Sequence, residues 1–210
     1  QTLSPRNQIE FSKQFGRLDI HVKDEFLHKR FPEILILSNK LDKKGNKIGF
    51  QDAGRYWHTD MSYNELPSLC SILYAIEVPP KGGNTLFCNM YEAYNNLPVS
   101  TKKIIQPLNA FHSYAASFEG KTQASKKRES LSVKQKESLI KNVLHPVVRT
   151  HPESKKSALY VNPGFTTHID GMTENDSKEL LLKLYNHSTK REFILEYIWN
   201  KNDLVIWDNR

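Results

Sequence analysis

Residues 56–60, Tyr56-Trp57-His58-Thr59-Asp60, set a histidine and an aspartate two positions apart in a strongly aromatic stretch. On a β-strand, side chains i and i+2 stand on one face, so His58 and Asp60 are placed to hold one metal ion together. Such a pair is two thirds of the facial set of two histidines and one carboxylate that binds non-haem Fe(II) and leaves three positions open. By itself the spacing is weak, because polar pairs also decorate plain strand surfaces. The sequence on either side decides between these readings.

Downstream, residues 68–78 are rich in Leu, Ile, Tyr and Val and end at Pro79-Pro80-Lys81-Gly82-Gly83, after which Thr85-Leu86-Phe87-Cys88 resumes the apolar character. This pattern predicts two strands joined by a Pro/Gly turn. Upstream, Ser4 can cap a helix that has Pro5 in its first turn and Ile9, Phe11 and Phe15 as its apolar stripe, with Gly16 ending it. Ile34 to Leu37 reads as a short strand, followed by a polar loop over 39–49. Residues 90–97 and 100–108 have helical spacing interrupted by Pro98. Residues 145–149 and 158–161 suggest a strand pair, and 193–199 with 204–207 a final hairpin. Thr173, with Asp176 three residues on and Leu180, Leu181, Leu182 and Leu184 beyond, predicts a capped helix over 173–186. With no internal repeat or linker, the order suggests one β-rich α+β domain over residues 1–210.

The bulk composition agrees with a globular chain. At 210 residues, 38% hydrophobic and 25% charged, one sizeable core is expected and disorder is not. No apolar run approaches the roughly 20 residues that span a bilayer, and residues 1–16 lack the pattern of a secretory leader, so a cytoplasmic address is expected. The net charge of +7 sits largely in residues 40–47 and 121–141. The second segment contains no aromatic residue to interleave with its lysines, which argues against single-stranded nucleic acid as a partner. It is expected to be a mobile insertion with an amphipathic helix over 132–143, acting either as a lid or as a plain surface helix. Cys70 and Cys88 lie in apolar runs without CxxC spacing and are expected to be buried free thiols.

Five blocks, taken in order, carry a resemblance. They are Trp57-His58-Thr59-Asp60, residues 82–86 (Gly-Gly-Asn-Thr-Leu), residues 145–152 (His-Pro-Val-Val-Arg-Thr-His-Pro), residues 161–167 (Val-Asn-Pro-Gly-Phe-Thr-Thr) and Trp207-Asp208-Asn209-Arg210. Together they resemble the TauD/TfdA dioxygenases, from Leu3 to Arg210. The resemblance implies a double-stranded β-helix (jelly-roll, cupin-like) core with flanking helices, and an oxidoreductase that uses Fe(II), 2-oxoglutarate and O2. His58 and Asp60 are then metal ligands, and Thr85 binds the 2-oxoglutarate carboxylate. The reaction implied is hydroxylation of a small anionic organic acid or sulfonate with release of succinate and CO2.

In taurine-oxidising members, the substrate is held by a histidine in the early Phe-Gly segment and by a Ser-Phe pair, positions matched here by His21 and by Ser117 and Phe118. Gly54 stands where those members have Asn, and Asp24 where they have a sulfonate-contacting Tyr. A carboxylate opposite a sulfonate repels it, so taurine is not the expected substrate. The resemblance also places a third iron-binding His and a 2-oxoglutarate-clamping Arg past Arg210, and a further strand and helix before Gln1; the expectation is the ordered portion of a longer protein. His112, His145, His151, His168 and His187 are expected to be structural or surface histidines. A small-molecule substrate is the expected partner, without nucleic acid or membrane, and a homo-oligomer is left open. The rival reading is an inactive remnant of the same fold serving as a binding or structural protein.

Overall fold

A computed structural model describes residues 2–51, 53–118, 132–133 and 142–210. Helix α1 (Pro5–Ser12) starts as its sequence dictates: the Ser4 hydroxyl accepts from the Asn7 N–H, and Pro5 occupies the first turn, where no N–H is needed. A short ribbon follows, β1 (Leu27–His28) against β2 (Phe31–Leu35), starting three residues earlier than the apolar run predicts.

The next strands form two antiparallel pairs that are distant in sequence. β3 (Cys70–Tyr74) pairs with β11 (Leu204–Asp208), and β4 (Thr85–Cys88) pairs with β10 (Ile194–Tyr197). The two strands predicted on either side of the Pro/Gly turn exist as β3 and β4 but do not pair with each other, and the predicted final hairpin does not form, since β10 does not pair with β11. The link between β3 and β4 turns at Gly82 (φ 77°) and Gly83 (φ 75°), but Pro79 and Pro80 have no N–H to continue a ladder. The chain therefore crosses from one sheet to the other. Residues 198–203 make the corresponding crossing, pinned by hydrogen bonds from Asn202 N to Ala75 O and from Ala75 N to Asp203 O.

The rest of the molecule is the packing platform. α2 (Met90–Asn95) and α3 (Val99–Ile105) meet at Pro98, β5 (Asn109–His112) lies between β6 (Val143–Pro146) and β9 (Thr166–Ile169), and β7 (Val148–Thr150) pairs with β8 (Ser157–Leu159). α4 (Glu174–Ser188) is capped by the Thr173 hydroxyl, which accepts from the Asp176 N–H. It buries Ser177, Leu181, Leu184 and Ser188, a spacing of four, three and four that makes one stripe. That stripe packs with Ala93, Ile105, Val147, Leu159 and Ile169 in the main core. Each fully enclosed Leu or Ile contributes about 1.5–3 kcal/mol through lost water contact. The Ser177 hydroxyl accepts from Ile169 N at 2.8 Å and ties the helix to β9.

The described strands form sheets of two or three and close no barrel. No described helix is long and apolar enough to cross a membrane. Cys70 and Cys88 are free but half-buried rather than buried, and burial pushes the Cys88 thiol up to about 11. The charged segment 121–141, with the helix expected over 132–143, lies outside the described residues apart from 132–133 and 142–143.

Candidate metal centre

Residues 57–59 are not in a strand, and Asp60 opens a turn that runs to Tyr63. This corrects the placement of His58 and Asp60 on a strand, yet their side chains still meet, with His58 Nε2 3.2 Å from Asp60 Oδ1. Two local features bring this about. Met61 has φ 57°, the left-handed region that non-glycine residues seldom enter, and it bends the chain directly after the aspartate. Gly164 lies so close that a Cβ there would be 2.7 Å from the Tyr56 ring and 2.9 Å from His58 Cβ, so only glycine lets the 161–164 loop press on this segment.

The ring orientation of His58 is fixed by its other nitrogen. Nδ1 lies 2.8 Å from the Tyr56 carbonyl oxygen, which can only accept, so Nδ1 carries the proton and donates. In the neutral ring, Nε2 is then a lone pair aimed at a carboxylate oxygen. Two electron-rich atoms facing each other at this range require a proton or a cation between them. Ligands at right angles around a small octahedral cation, with bonds of about 2.1 Å, stand roughly 3.0 Å apart. The spacing of His58 and Asp60 is that of neighbouring ligands on one ion.

Asp60 is held from behind by its second oxygen. Oδ2 accepts from the Ser71 hydroxyl at 2.7 Å and from the Trp207 indole N–H at 3.2 Å, and Asn209 Nδ2 donates to Ser71 Oγ at 2.9 Å. The sheet explains the coincidence, because Ser71 and Trp207 are directly opposed in the β3/β11 register and so share a face. Burial works against charge on Asp60, but the neighbouring His58 and the hydrogen bonds from Ser71 and Trp207 outweigh it and hold the carboxyl below its ordinary value. Ser71 escaped the sequence reading, since nothing local marks a serine in an apolar run as a carboxylate partner.

A second polar cluster braces the turn. Ser62, with no exposed surface, accepts from Asn162 Nδ2 at 3.3 Å and stands 3.1 Å from His112 Nδ1. Asn162 Oδ1 accepts from Phe165 N, and Asn162 N donates to the Thr166 hydroxyl. Burial, together with the neighbouring His145, pushes His112 down to about 3. His145 is also lowered by burial, and its Nε2–H donates to the Asn64 carbonyl.

A cavity of about 400 Å³ opens beside His58, with Trp57, Phe87, Tyr197, Trp207 and Asn209 among its walls. That volume suits a small ligand. Thr85 shares a face of β4 with Phe87, two residues on, and is directly opposed to Tyr197; Phe87 and Tyr197 line the cavity and Thr85 is not among its lining residues. Its hydroxyl accepts from the Trp199 indole N–H at 2.9 Å. His21, Ser117 and Phe118 gather around a separate aromatic cluster of Tyr63, Tyr114 and Phe165. Ser117 is fully buried and its hydroxyl donates to the Tyr114 carbonyl at 2.6 Å. Phe165 joins the two regions, with its ring 6.0 Å from that of His58.

The other histidines are engaged elsewhere. His151 Nδ1 accepts from Glu153 N and Ser154 N, and its Nε2–H donates to Asp208. His187 donates to the Ala93 carbonyl, and His168 lies on β9 stacked on Phe111. Asp208 alternates with Trp207 and so faces away from Asp60, toward His151 and Arg210. Among the described residues, no group of three His, Cys, Asp or Glu side chains is placed to hold a metal ion.

Comparison with known proteins gives a consistent picture. The family described as "Taurine catabolism dioxygenase TauD, TfdA family" matches residues 1–210. The chain is 33% identical over 222 residues to the alpha-ketoglutarate-dependent 2,4-dichlorophenoxyacetate dioxygenase of Cupriavidus pinatubonensis, covering 100% of this chain and 74% of that protein. It is 31% identical over 209 residues to the alpha-ketoglutarate-dependent sulfonate dioxygenase of Saccharomyces cerevisiae, covering 98% of this chain and 48% of that one. Among solved structures, AAD-2 in complex with Mn(II) and N-oxalylglycine superposes with a TM-score of 0.74 at 29% identity, covering 100% of this chain and 69% of that chain.

Proposed function

The chain belongs to the TauD/TfdA family of dioxygenases, and from that premise we propose that it is an Fe(II)- and 2-oxoglutarate-dependent dioxygenase that hydroxylates a small organic acid or sulfonate. The observation that carries this reading is the approach of His58 Nε2 to Asp60 Oδ1 at 3.2 Å, with the other ring nitrogen engaged by Tyr56 O. The donor set fits the group: one imidazole and one carboxylate are two of the three ligands of a facial iron site. When bound, Fe(II) with 2-oxoglutarate and O2 supplies the oxidising power, and the 2-oxo acid leaves as succinate and CO2.

The remaining work falls to the chain's own residues. His58 and Asp60 would hold the metal, Tyr56 O would keep the imidazole in the ligating tautomer, and Ser71 and Trp207 aim the carboxylate. Thr85, on the same face of β4 as the cavity-lining Phe87, is the candidate donor to a 2-oxoglutarate carboxylate. His21, Ser117 and Phe118 are the candidate substrate contacts. Asp24 and Gly54 remove two sulfonate contacts, so taurine itself is a poor substrate in this reading.

The test is the stoichiometry of 2-oxoglutarate decarboxylation by the protein as encoded in its gene. Succinate should form only with Fe(II) and O2, and His58→Ala should abolish it, a loss of at least about 100-fold. Undiminished succinate from His58→Ala would remove His58 from the site. No succinate from the wild type under any acid would favour the inactive remnant.

A further inference from the structure

Tyr63 is buried, 6% exposed, and its hydroxyl donates to the Met61 Sδ atom at 3.0 Å. A thioether is a weak acceptor, an uncommon partner for a hydroxyl enclosed away from water. Met61 itself is half-buried and packs against the cluster of Tyr63, Tyr114 and Phe165. It also holds φ 57°, a conformation that a residue with a side chain keeps only where its surroundings enforce it. The O–H···S bond and the ring contacts supply that enforcement, together with the Asn64 N–H, which donates to the Met61 carbonyl at 2.9 Å.

Both halves of the metal pair are tied to this sulfur. Asp60 directly precedes Met61, so the backbone bend at Met61 sets where the carboxylate stands. On the other side, the Tyr63 ring lies 4.9 Å from that of Phe165, which lies 6.0 Å from that of His58. A thioether sulfur carries two lone pairs. The Tyr63 proton takes one, and the other is open to an electrophilic oxidant. Transfer of one oxygen there turns an apolar side chain into a polar, chiral one and leaves the remaining pair a poorer acceptor, so the enclosed Tyr63 hydroxyl loses its partner.

We propose that Met61 is an oxidative modification site that governs metal binding: a peroxide converts its thioether to the sulfoxide, the turn over 60–63 loosens, and the affinity of His58 and Asp60 for their cation falls. In that step the O–O bond of hydrogen peroxide breaks and sulfur gives an electron pair to the new S–O bond. The thioether is oxidised, and the peroxide is reduced and leaves as water. The effect on the cation rests on the dioxygenase reading; the oxidation itself does not. Because the Tyr63 hydroxyl covers one lone pair, one of the two sulfoxide epimers should dominate.

The test treats the metal-free full chain with dilute hydrogen peroxide, locates the added oxygen by peptide mass, and reads Mn(II) affinity by electron paramagnetic resonance before and after. Affinity should fall about 10-fold, and should return on treatment with one of the two epimer-specific methionine sulfoxide reductases and not with the other. Met61→Leu, whatever its starting affinity, should lose none to peroxide, which separates Met61 from Met90 and Met172. Tyr63→Phe uncovers the second lone pair and should give both epimers. If Met61→Leu does not fold, reversal by the reductase and the epimer ratios of wild type and Tyr63→Phe decide in its place. Met61 left unoxidised, an even mixture of epimers in the wild type, affinity unchanged by the sulfoxide, or the same fall in Met61→Leu would overturn the proposal. No Mn(II) binding before treatment would sink the metal reading, and the epimer ratios would then decide on Met61 alone.

Discussion

His58 and His112 lie on either side of one turn and end in opposite states. His58 keeps 24% of its side-chain surface, points Nε2 at a carboxylate and borders a cavity. His112, joined to the same turn through Ser62, has no exposed surface and is surrounded by a hydroxyl, the Tyr160 ring and another imidazole. Without a carboxylate, desolvation governs His112 and keeps it neutral; His58 has one, and in the proposed reading the two would share a cation. The partner, and not the residue type, separates a ligand from a brace.

That contrast can be broken at three points. Its strongest test removes the support behind the carboxylate: Ser71→Ala combined with Trp207→Phe strips both donors from Asp60 Oδ2 and should weaken Mn(II) binding, read by electron paramagnetic resonance, about 10- to 100-fold. Unchanged affinity would mean that Asp60 needs no aiming. Next, Gly164→Ala forces a methyl group against Tyr56 and His58, and should cost about 1–3 kcal/mol in urea unfolding while raising the metal concentration needed for half-maximal activity several-fold. A crystal structure of that variant with His58 unmoved would show that the loop exerts no constraint.

The smallest effect concerns the brace. His112 titrates near 3 when folded and near 6.5 in the unfolded chain, so between those values the unfolded state binds more protons. Stability from this group is complete above about pH 6.5 and declines as pH falls toward 3, by up to roughly 1.4 kcal/mol per pH unit. His112→Gln should flatten the fall in stability between about pH 6.5 and 4.5, with His145 supplying what slope remains. An identical slope in the variant would assign the acid sensitivity elsewhere.

Local signals in the sequence were honoured by the fold, and distant ones had no local sign. Ser4 with Pro5, and Thr173 with Asp176, placed two helix starts, because a cap is decided within four residues. The Pro/Gly turn after residue 78 joins two strands as its residues predict, but the loop after 197 makes no hairpin, since a turn signal does not say which sheet the chain enters next. His58 and Asp60 were legible from spacing, although a left-handed Met61 and the pressure of Gly164, not a strand, bring them together. Ser71 was illegible because its importance lies in partners set by residues far along the chain. Segment 121–141 remains an expectation outside the described residues.

The support of Asp60 also has a kinetic meaning. Trp207 reaches the carboxylate from 147 positions away, and Asn209 reaches Ser71 from 138. Contacts of such separation close slowly, since a large loop must be gathered before any of them forms. A nascent chain that has emerged as far as β4 already contains His58 and Asp60 but lacks the strand that aims them. The aimed carboxylate is therefore among the last features to form, and a ribosome-bound chain that stops short of β11 lacks it.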